Sequence, residues 1–496
     1  MLRELERTLN VSGDPKRAVA VNRQGFPVHA DSRIWRHAEP FLKLLIVCAT
    51  AVLLFAAWNS LGSPRGVRSL SQTGVSYIWH YFLACYGLVV FGSLGWRLIL
   101  WRRYRAEPAP ADAELPSLSL IIPAYNEGAL VGECIRAAAA SDYPGDRFEI
   151  IAIDDGSTDD TWRHIEAAAC EVGDRVQVTV LRHAVNRGKR QALHLGFSHA
   201  RGDIWATTDS DSLLRPEALR CGVAPMRRDP RVVCVAGCVE ALNAGHNLFT
   251  RFMKCYYSLS FKFVRAYQAA FDGVFCAPGA LSLYRASAVR GVLGEWMNQR
   301  FLGQACATGE DRAMTNLLLR EGGLTAYQQN AVVMSRAPES YSGMAKMFLR
   351  WARSNIRETI VTCRFLFTRF RAGPLFAFRL NMVLVMLSLL VSPVLISHSA
   401  ALAMVSDGFV LRYVAAMLAF SILMAVVYYI NERDGDWVWL LVYQAFSVAC
   451  FSWVMPYAAM TLRNTGWLTR GNGRERNGEL DEIAASAAVT GAHAFS

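Results

Sequence analysis

Long, predominantly apolar runs stand at both ends of this 496-residue chain, at positions 41–58 and 77–101 and again at 377–396, 409–430 and 437–462. Crossing a hydrocarbon core takes ~20 residues of helix. Lipid offers no partner to a bare backbone N–H, so runs of this kind can cross only as helices. Between them the pattern changes. From 118 to about 323, short β-rich runs (SLSLIIPAYNE, FEIIAIDDGS, VQVTVLRH) alternate with helical stretches such as GALVGECIRAAAA. Such alternation predicts βαβ units and a mostly parallel sheet. The expected organisation is a polar N-terminal segment over 1–40, two transmembrane helices within 41–105, an α/β domain over 117–340, amphipathic interface helices over 341–372, three or four transmembrane helices within 373–462, and a polar tail over 463–496.

Composition agrees with a membrane protein carrying one large soluble domain: 53% of residues are hydrophobic, and the formal charge is +11. Much of the positive excess flanks the apolar runs, with Arg102, Arg103 and Arg105 after one and Arg364, Arg369 and Arg371 before another. That placement fits a cytoplasmic domain in a multi-pass inner-membrane protein. No nucleic-acid module is recognisable, so membrane lipid and anionic small molecules are the expected partners, not nucleic acid. The twelve cysteines form no disulfide framework or zinc pattern. Two helices before the domain and three after it would leave the C-terminus outside, whereas Arg463, Arg470, Arg474 and Arg476 favour the inside. Either one run is re-entrant or split, or the charge rule fails here.

Acidic motifs fall at the ends of the expected strands, where open α/β sheets bind ligands. Asp154-Asp155-Gly156-Ser157 follows the strand ending at Ile153; a carboxylate there can accept from a nucleobase or ribose, although the same residues also make a plain Asp-Gly turn. Asp209 and Asp211 stand at i and i+2 after a short apolar segment. They can converge on one hard cation, Mg²⁺ or Mn²⁺, whose shell diphosphate oxygens complete. In Asn186-Arg187-Gly188-Lys189-Arg190, glycine permits close backbone approach to a phosphate and Lys189 offers a compact cation; a solvated basic loop would look the same. Gly309-Glu310-Asp311-Arg312 supplies a further carboxylate able to take a proton from a hydroxyl, or merely an acidic first helical turn. Arg350-Trp351 joins a guanidinium fork to a ring on which a sugar can stack, or anchors the helix at the interface.

In this order, the IPAYNE at 122–127, DDGS, NRGKR, DSD, GEDR and RW motifs resemble family 2 glycosyltransferases, most closely the hyaluronan synthases and the nodulation-type chitin-oligosaccharide synthases. WMNQRFLG, CAPGALSLYR, FLRWARSNIRET and the tryptophan–threonine–arginine motif at 467–470 extend the resemblance over 118–470. It implies a glycosyltransferase A-type domain between transmembrane helices and inversion at the anomeric carbon. By matching position, Ala124, Tyr125, Glu127 and Asp155 would hold uridine, and Lys189, Asp209, Arg350 and Trp351 the rest of a UDP-sugar. Asp211 and Asp209 would ligate the metal, and Asp311 would be the base. Cys276, Gly279, Glu310, Arg312 and Trp351 would face the acceptor, a growing glycan or a lipid-linked sugar. The family's usual glutamine three positions before the arginine is here Met347, which cannot donate to a phosphate oxygen; a neighbour such as Lys346 would have to substitute, or the chain is held less firmly and product length changes. The expected activity is polymerisation of UDP-sugars into an extracellular polysaccharide or oligosaccharide. A single transfer onto a lipid carrier is the alternative, and a silent subunit of an export complex a third reading.

Overall fold

The computed structural model describes residues 20–21, 27–28, 33–61, 74–405 and 409–464. Its centre is an eight-stranded mixed sheet built from β1 (Leu118–Ala124), β2 (Phe148–Asp154), β3 (Gln177–Arg182), β4 (Ile204–Thr207), β5 (Ser212–Leu214), β6 (Val232–Ala241), β7 (Ser282–Arg285) and β8 (Leu324–Ser335). The order across the sheet is β3-β2-β1-β4-β7-β6-β8-β5. Four pairings are parallel, β3–β2, β2–β1, β1–β4 and β6–β8, and three are antiparallel, β4–β7, β7–β6 and β8–β5. Every residue of β1 and β2 is buried, which is why these strands read as continuous apolar runs: helices cover both faces of a parallel sheet.

Direction matters more than order. Because β7 opposes both β4 and β6, the strands β1, β2, β3, β4, β6 and β8 all run the same way. Their carboxyl ends therefore share one edge. Ala124, Asp154, Thr207 and Ser335 stand there, and each is followed by a loop.

The helices, in chain order, are α1 (Arg33–Leu61), α2 (Gly74–Arg103), α3 (Leu130–Ala139), α4 (Thr161–Val172), α5 (Lys189–His199), α6 (Ala218–Arg228), α7 (Leu248–Tyr257), α8 (Ala266–Ala269), α9 (Ala286–Met297), α10 (Glu310–Arg320), α11 (Tyr341–Leu366), α12 (Phe376–Val405), α13 (Phe409–Glu432), α14 (Val438–Phe451) and α15 (Val454–Met460). A π-helix over Ser258–Arg265 joins α7 to α8. Three segments among the described residues are long and apolar enough to cross a membrane: Ala38–Ala57, Tyr413–Glu432 and Gly435–Met460. Phe376–Val391 is a shorter apolar helix.

Three details differ from the sequence pattern. Helix α1 starts at Arg33, ahead of its apolar run, because Glu39 and Lys43 pair one turn apart at 2.7 Å and Arg251 of α7 holds Glu39 at 2.8 Å. The final run is two helices. Trp453 Nε1 donates to the Cys450 carbonyl at the break, and Tyr341 of α11 donates to the same carbonyl. Where interface helices were expected over 341–372 there is one helix, α11, which ends at Leu366 and is capped by Ser340, whose hydroxyl accepts from Gly343 N. The 467–470 motif lies outside the described residues.

Candidate active site

The loops at the shared strand edge are tied to one another before any ligand is considered. Asn126, after β1, takes a positive φ of 52°, which asparagine tolerates better than most residues. Its backbone N–H donates to Ser157 Oγ and its side chain accepts from Thr158 N. Glu127 N and Gly128 N donate to Thr161 Oγ1. The first two motifs are thus one unit. Asp155 is 3% exposed. Its Oδ1 faces His183 Nδ1 at 2.7 Å and accepts from Arg187 N, while Oδ2 accepts from Gly188 N. Burial raises its pKa against the pull of these partners. Within NRGKR, therefore, Asp155 shapes the loop that presents Lys189.

Lys189 Nζ forms ion pairs with Asp209 Oδ1 and, at 3.2 Å, with Glu310 Oε1. Burial would lower the Lys189 pKa, but Asp209 and Glu310 more than reverse that and hold it charged. At Gly279 a Cβ would stand 2.8 Å from Lys189 Nζ, so a side chain there would have to displace that ammonium group. The GEDR helix α10 starts from Gly309 at φ 74°, where a Cβ would also run into Ser354 Oγ of α11. A left-handed N-cap is open to glycine at little cost, and here it sets α10 tight against α11.

That placement half-buries Asp311. Its Oδ1 accepts from Arg312 N at 2.7 Å, and its Oδ2 from Gly279 N at 3.3 Å and Cys276 Sγ at 3.7 Å. Burial, and then the neighbouring Glu310 charge, push the Asp311 carboxyl above its ordinary range. Glu310 goes the other way: burial would raise it, but Lys189 holds it ionised. Two adjacent carboxyls in opposed environments are the pattern that separates a base from a fixed charge.

Two cavities meet at this point. The first, about 450 Å³, is bordered by Ala124, Tyr125, Glu127, Asp155, Lys189, Asp209 and Asp211, together with Pro338, Glu339 and Arg350. The second, about 270 Å³, is bordered by Cys276, Gly279, Glu310, Asp311, Arg312 and Trp351, and by Tyr256, Phe261 and Arg265 from α7 and the π-helix. Lys189, Asp209, Asp211, Arg336, Met347 and Arg350 border both.

Most of the motif residues thus converge on these two cavities. Trp351 borders the second cavity and not the first, stacked on Tyr256 with ring centroids 6.0 Å apart. Arg312 borders that cavity too, yet its guanidinium donates to Asn355 and Thr359, tying α10 to α11. Lys346 is exposed and borders neither cavity, so it does not replace the missing glutamine. Arg190 of the NRGKR motif is structural, donating to Trp296 O and Gln299. The motifs gave no sign of Arg336, of the 337–339 loop, or of Tyr256, Phe261 and Arg265. A π-helix is a recurrent mark of a functional site, but nothing in the residue pattern announces one.

Among the described residues no group of three His, Cys, Asp or Glu side chains could hold a metal ion. Asp209 and Asp211 are a two-carboxylate set of hard oxygen donors at the junction of the cavities, which suits Mg²⁺ or Mn²⁺ if ligand oxygens supply the remaining positions.

The family described as glycosyltransferase-like family 2 matches residues 116–354. N-acetylglucosaminyltransferases of Azorhizobium caulinodans and Rhizobium meliloti are each 28% identical to the chain. The first alignment covers 72% of this chain and 87% of the relative, the second 78% and 89%. Among solved structures, a mannosyltransferase from Pyrobaculum calidifontis in complex with GDP-Man and Mn²⁺ superposes with a TM-score of 0.51 at 22% identity, covering 73% of this chain and 97% of that one. The likeness is one of fold, the glycosyltransferase A-type domain. Residues 116–354 of this chain form a family 2 glycosyltransferase domain.

Proposed function

We propose that the protein is a membrane-embedded, inverting, metal-dependent glycosyltransferase that takes a UDP-sugar and extends a glycan, with N-acetylglucosamine as the first donor to test. The paired cavities carry this reading: a nucleotide-sized one rich in strand-end loops, an aromatic-floored one holding the half-buried Asp311 carboxyl, and a charged wall between them. Uridine would lie against Tyr125 and Asp155, and the diphosphate against the shared wall. Asp211, assisted by Asp209, would hold Mg²⁺ or Mn²⁺, which neutralises charge on a departing diphosphate. Asp209 is already paired with Lys189, so Lys189 and the cation would share that carboxylate.

In the transfer, Asp311 takes the proton of the acceptor hydroxyl. The oxygen forms a bond to the anomeric carbon, and the bond from that carbon to the phosphate oxygen breaks, with UDP leaving on the electron pair. The raised Asp311 pKa favours the proton transfer. Trp351 on Tyr256 offers the acceptor sugar a rigid apolar face.

The contacts at the ends of the last apolar run bear on how the chain would thread the membrane. Asp434 and Asp436, just before α14, each lie 2.6 Å from Lys254 of α7, and Thr461, after α15, accepts from Arg353 of α11 at 2.9–3.1 Å. Both ends of the last apolar run are therefore held to helices of the catalytic side. We read that run as re-entrant, leaving four crossings in α1, α2, α12 and α13 and returning Arg463 to the inside, as its charge favours.

Purified protein incubated with a panel of labelled UDP-sugars tests the reading, with UDP release and product size as readouts. A water-soluble polymer from UDP-N-acetylglucosamine is expected. One sugar on lipid would favour the single-transfer alternative, and no UDP release from any donor would refute the assignment.

A further inference from the structure

The wall shared by the two cavities is where a bond between a sugar and a diphosphate must lie. Of its six residues, three are cations, and they are not equally available. Lys189 is committed to Asp209 and Glu310. Arg350 lies where it lowers the pKa values of Glu310 and Asp311. Arg336 has one carboxylate against it, Glu339 at 3.2 Å, and its side chain keeps 47% of its exposure. Exposed pairs of this kind contribute little. Glu339 also accepts from Asn243 Nδ2 at 2.9 Å and pairs with His246 Nδ1 at 3.2 Å. Losing Arg336 to another acceptor would thus leave it partnered.

Arg336 is placed by the sheet. It directly follows Ser335, the last residue of β8, whose direction brings its carboxyl end to the same edge as β1, β2 and β4. The loop beyond is fixed, since Asn243 donates to the Ala337 carbonyl and accepts from Ala337 N. Met347, 7% exposed, brings to the wall only a thioether, a weak acceptor that donates nothing.

We infer that Arg336 donates to the diphosphate of the bound nucleotide, supplying from the end of β8 the hydrogen bond that Met347 cannot supply from α11. The inference rests on the proposed nucleotide-sugar site. Its recognition is of phosphate oxygens, by a fork suited to two of them.

Titration calorimetry of the full-length protein in detergent with Mn²⁺, using UDP and uridine as separate probes, tests it. Arg336→Gln is expected to weaken UDP binding about tenfold or more, the loss of one charge-assisted hydrogen bond, and to leave uridine binding unchanged. Adding Met347→Gln to Arg336→Gln should recover part of the UDP affinity, because glutamine restores a donor at nearly the same volume. Unchanged UDP affinity in Arg336→Gln, or equal weakening of UDP and uridine, would overturn the inference. A wild-type protein that binds neither probe would instead refute the nucleotide-sugar reading itself.

Discussion

Replacing Asp311 by asparagine isolates the proton transfer from everything else the site does. Asparagine keeps the shape and can still accept, through its carbonyl oxygen, from Arg312 N or from Gly279 N, which now hold the two carboxylate oxygens. What it loses is basicity. General-base catalysis contributes about 10²–10⁴-fold, or roughly 2.7–5.4 kcal/mol of barrier at 1.36 kcal/mol per tenfold. Asp311 borders only the second cavity, so UDP affinity should stay within about twofold while kcat falls by at least a hundredfold. The wild-type pH profile gives an independent check. The base must be ionised to act and its pKa is raised by burial and by Glu310, so activity should be lost as pH falls through a value above the usual aspartate range. In Asp311→Asn that acid limb should vanish from the residual rate. Steady-state UDP release across pH measures both effects. A variant that keeps more than a tenth of wild-type kcat, with the acid limb intact, would refute the assignment of the base.

Three further outcomes follow from the geometry. Gly309→Ala puts a Cβ at φ 74° against Ser354 and Arg357, so it should destabilise the α10–α11 contact by about 1–3 kcal/mol or more, seen as a lower Tm of the detergent-solubilised protein; an unchanged Tm would contradict the packing. Trp351→Ala should raise KM for an oligosaccharide acceptor while KM for the donor is unchanged, since the ring borders only the second cavity; equal effects on both would contradict the division between cavities. Asp211→Asn and excess EDTA should each abolish UDP release, with Mn²⁺ restoring activity to the chelated wild type and not to the variant; full activity in EDTA would remove the metal from the mechanism.

Much of the site could be read from the residues because a parallel sheet concentrates function at its carboxyl edge. Asp155, Asp209 and Asp211 each follow an apolar run, and the fold brings all three to one cavity. Motif reading fails where direction decides. Arg190 and Arg312 look like ligand-binding cations in a string of letters, yet their guanidinium groups turn inward to Trp296 and Gln299 and to Asn355 and Thr359. Arg336 carries no motif at all; its position at the wall follows from β7 running against β4 and β6, so that β8 ends at the functional edge. For the last apolar run the residues left alternatives open: its composition suits a crossing, its flanking charge suggests a re-entrant or split run, and its two ends are attached to α7 by Lys254 and to α11 by Arg353.

A cryo-electron microscopy structure of the full-length protein with UDP and Mn²⁺ bears most directly on the convergence of Asp155, Asp209, Asp211 and Asp311 around one diphosphate. The base should lie against Tyr125 and Asp155, the phosphates beside Lys189, Arg336 and Arg350, and the cation on Asp211, with Asp311 across the shared wall and free of nucleotide. Nucleotide density on another face of the domain, or carboxylates that stay apart from the phosphates, would contradict the mechanism as a whole.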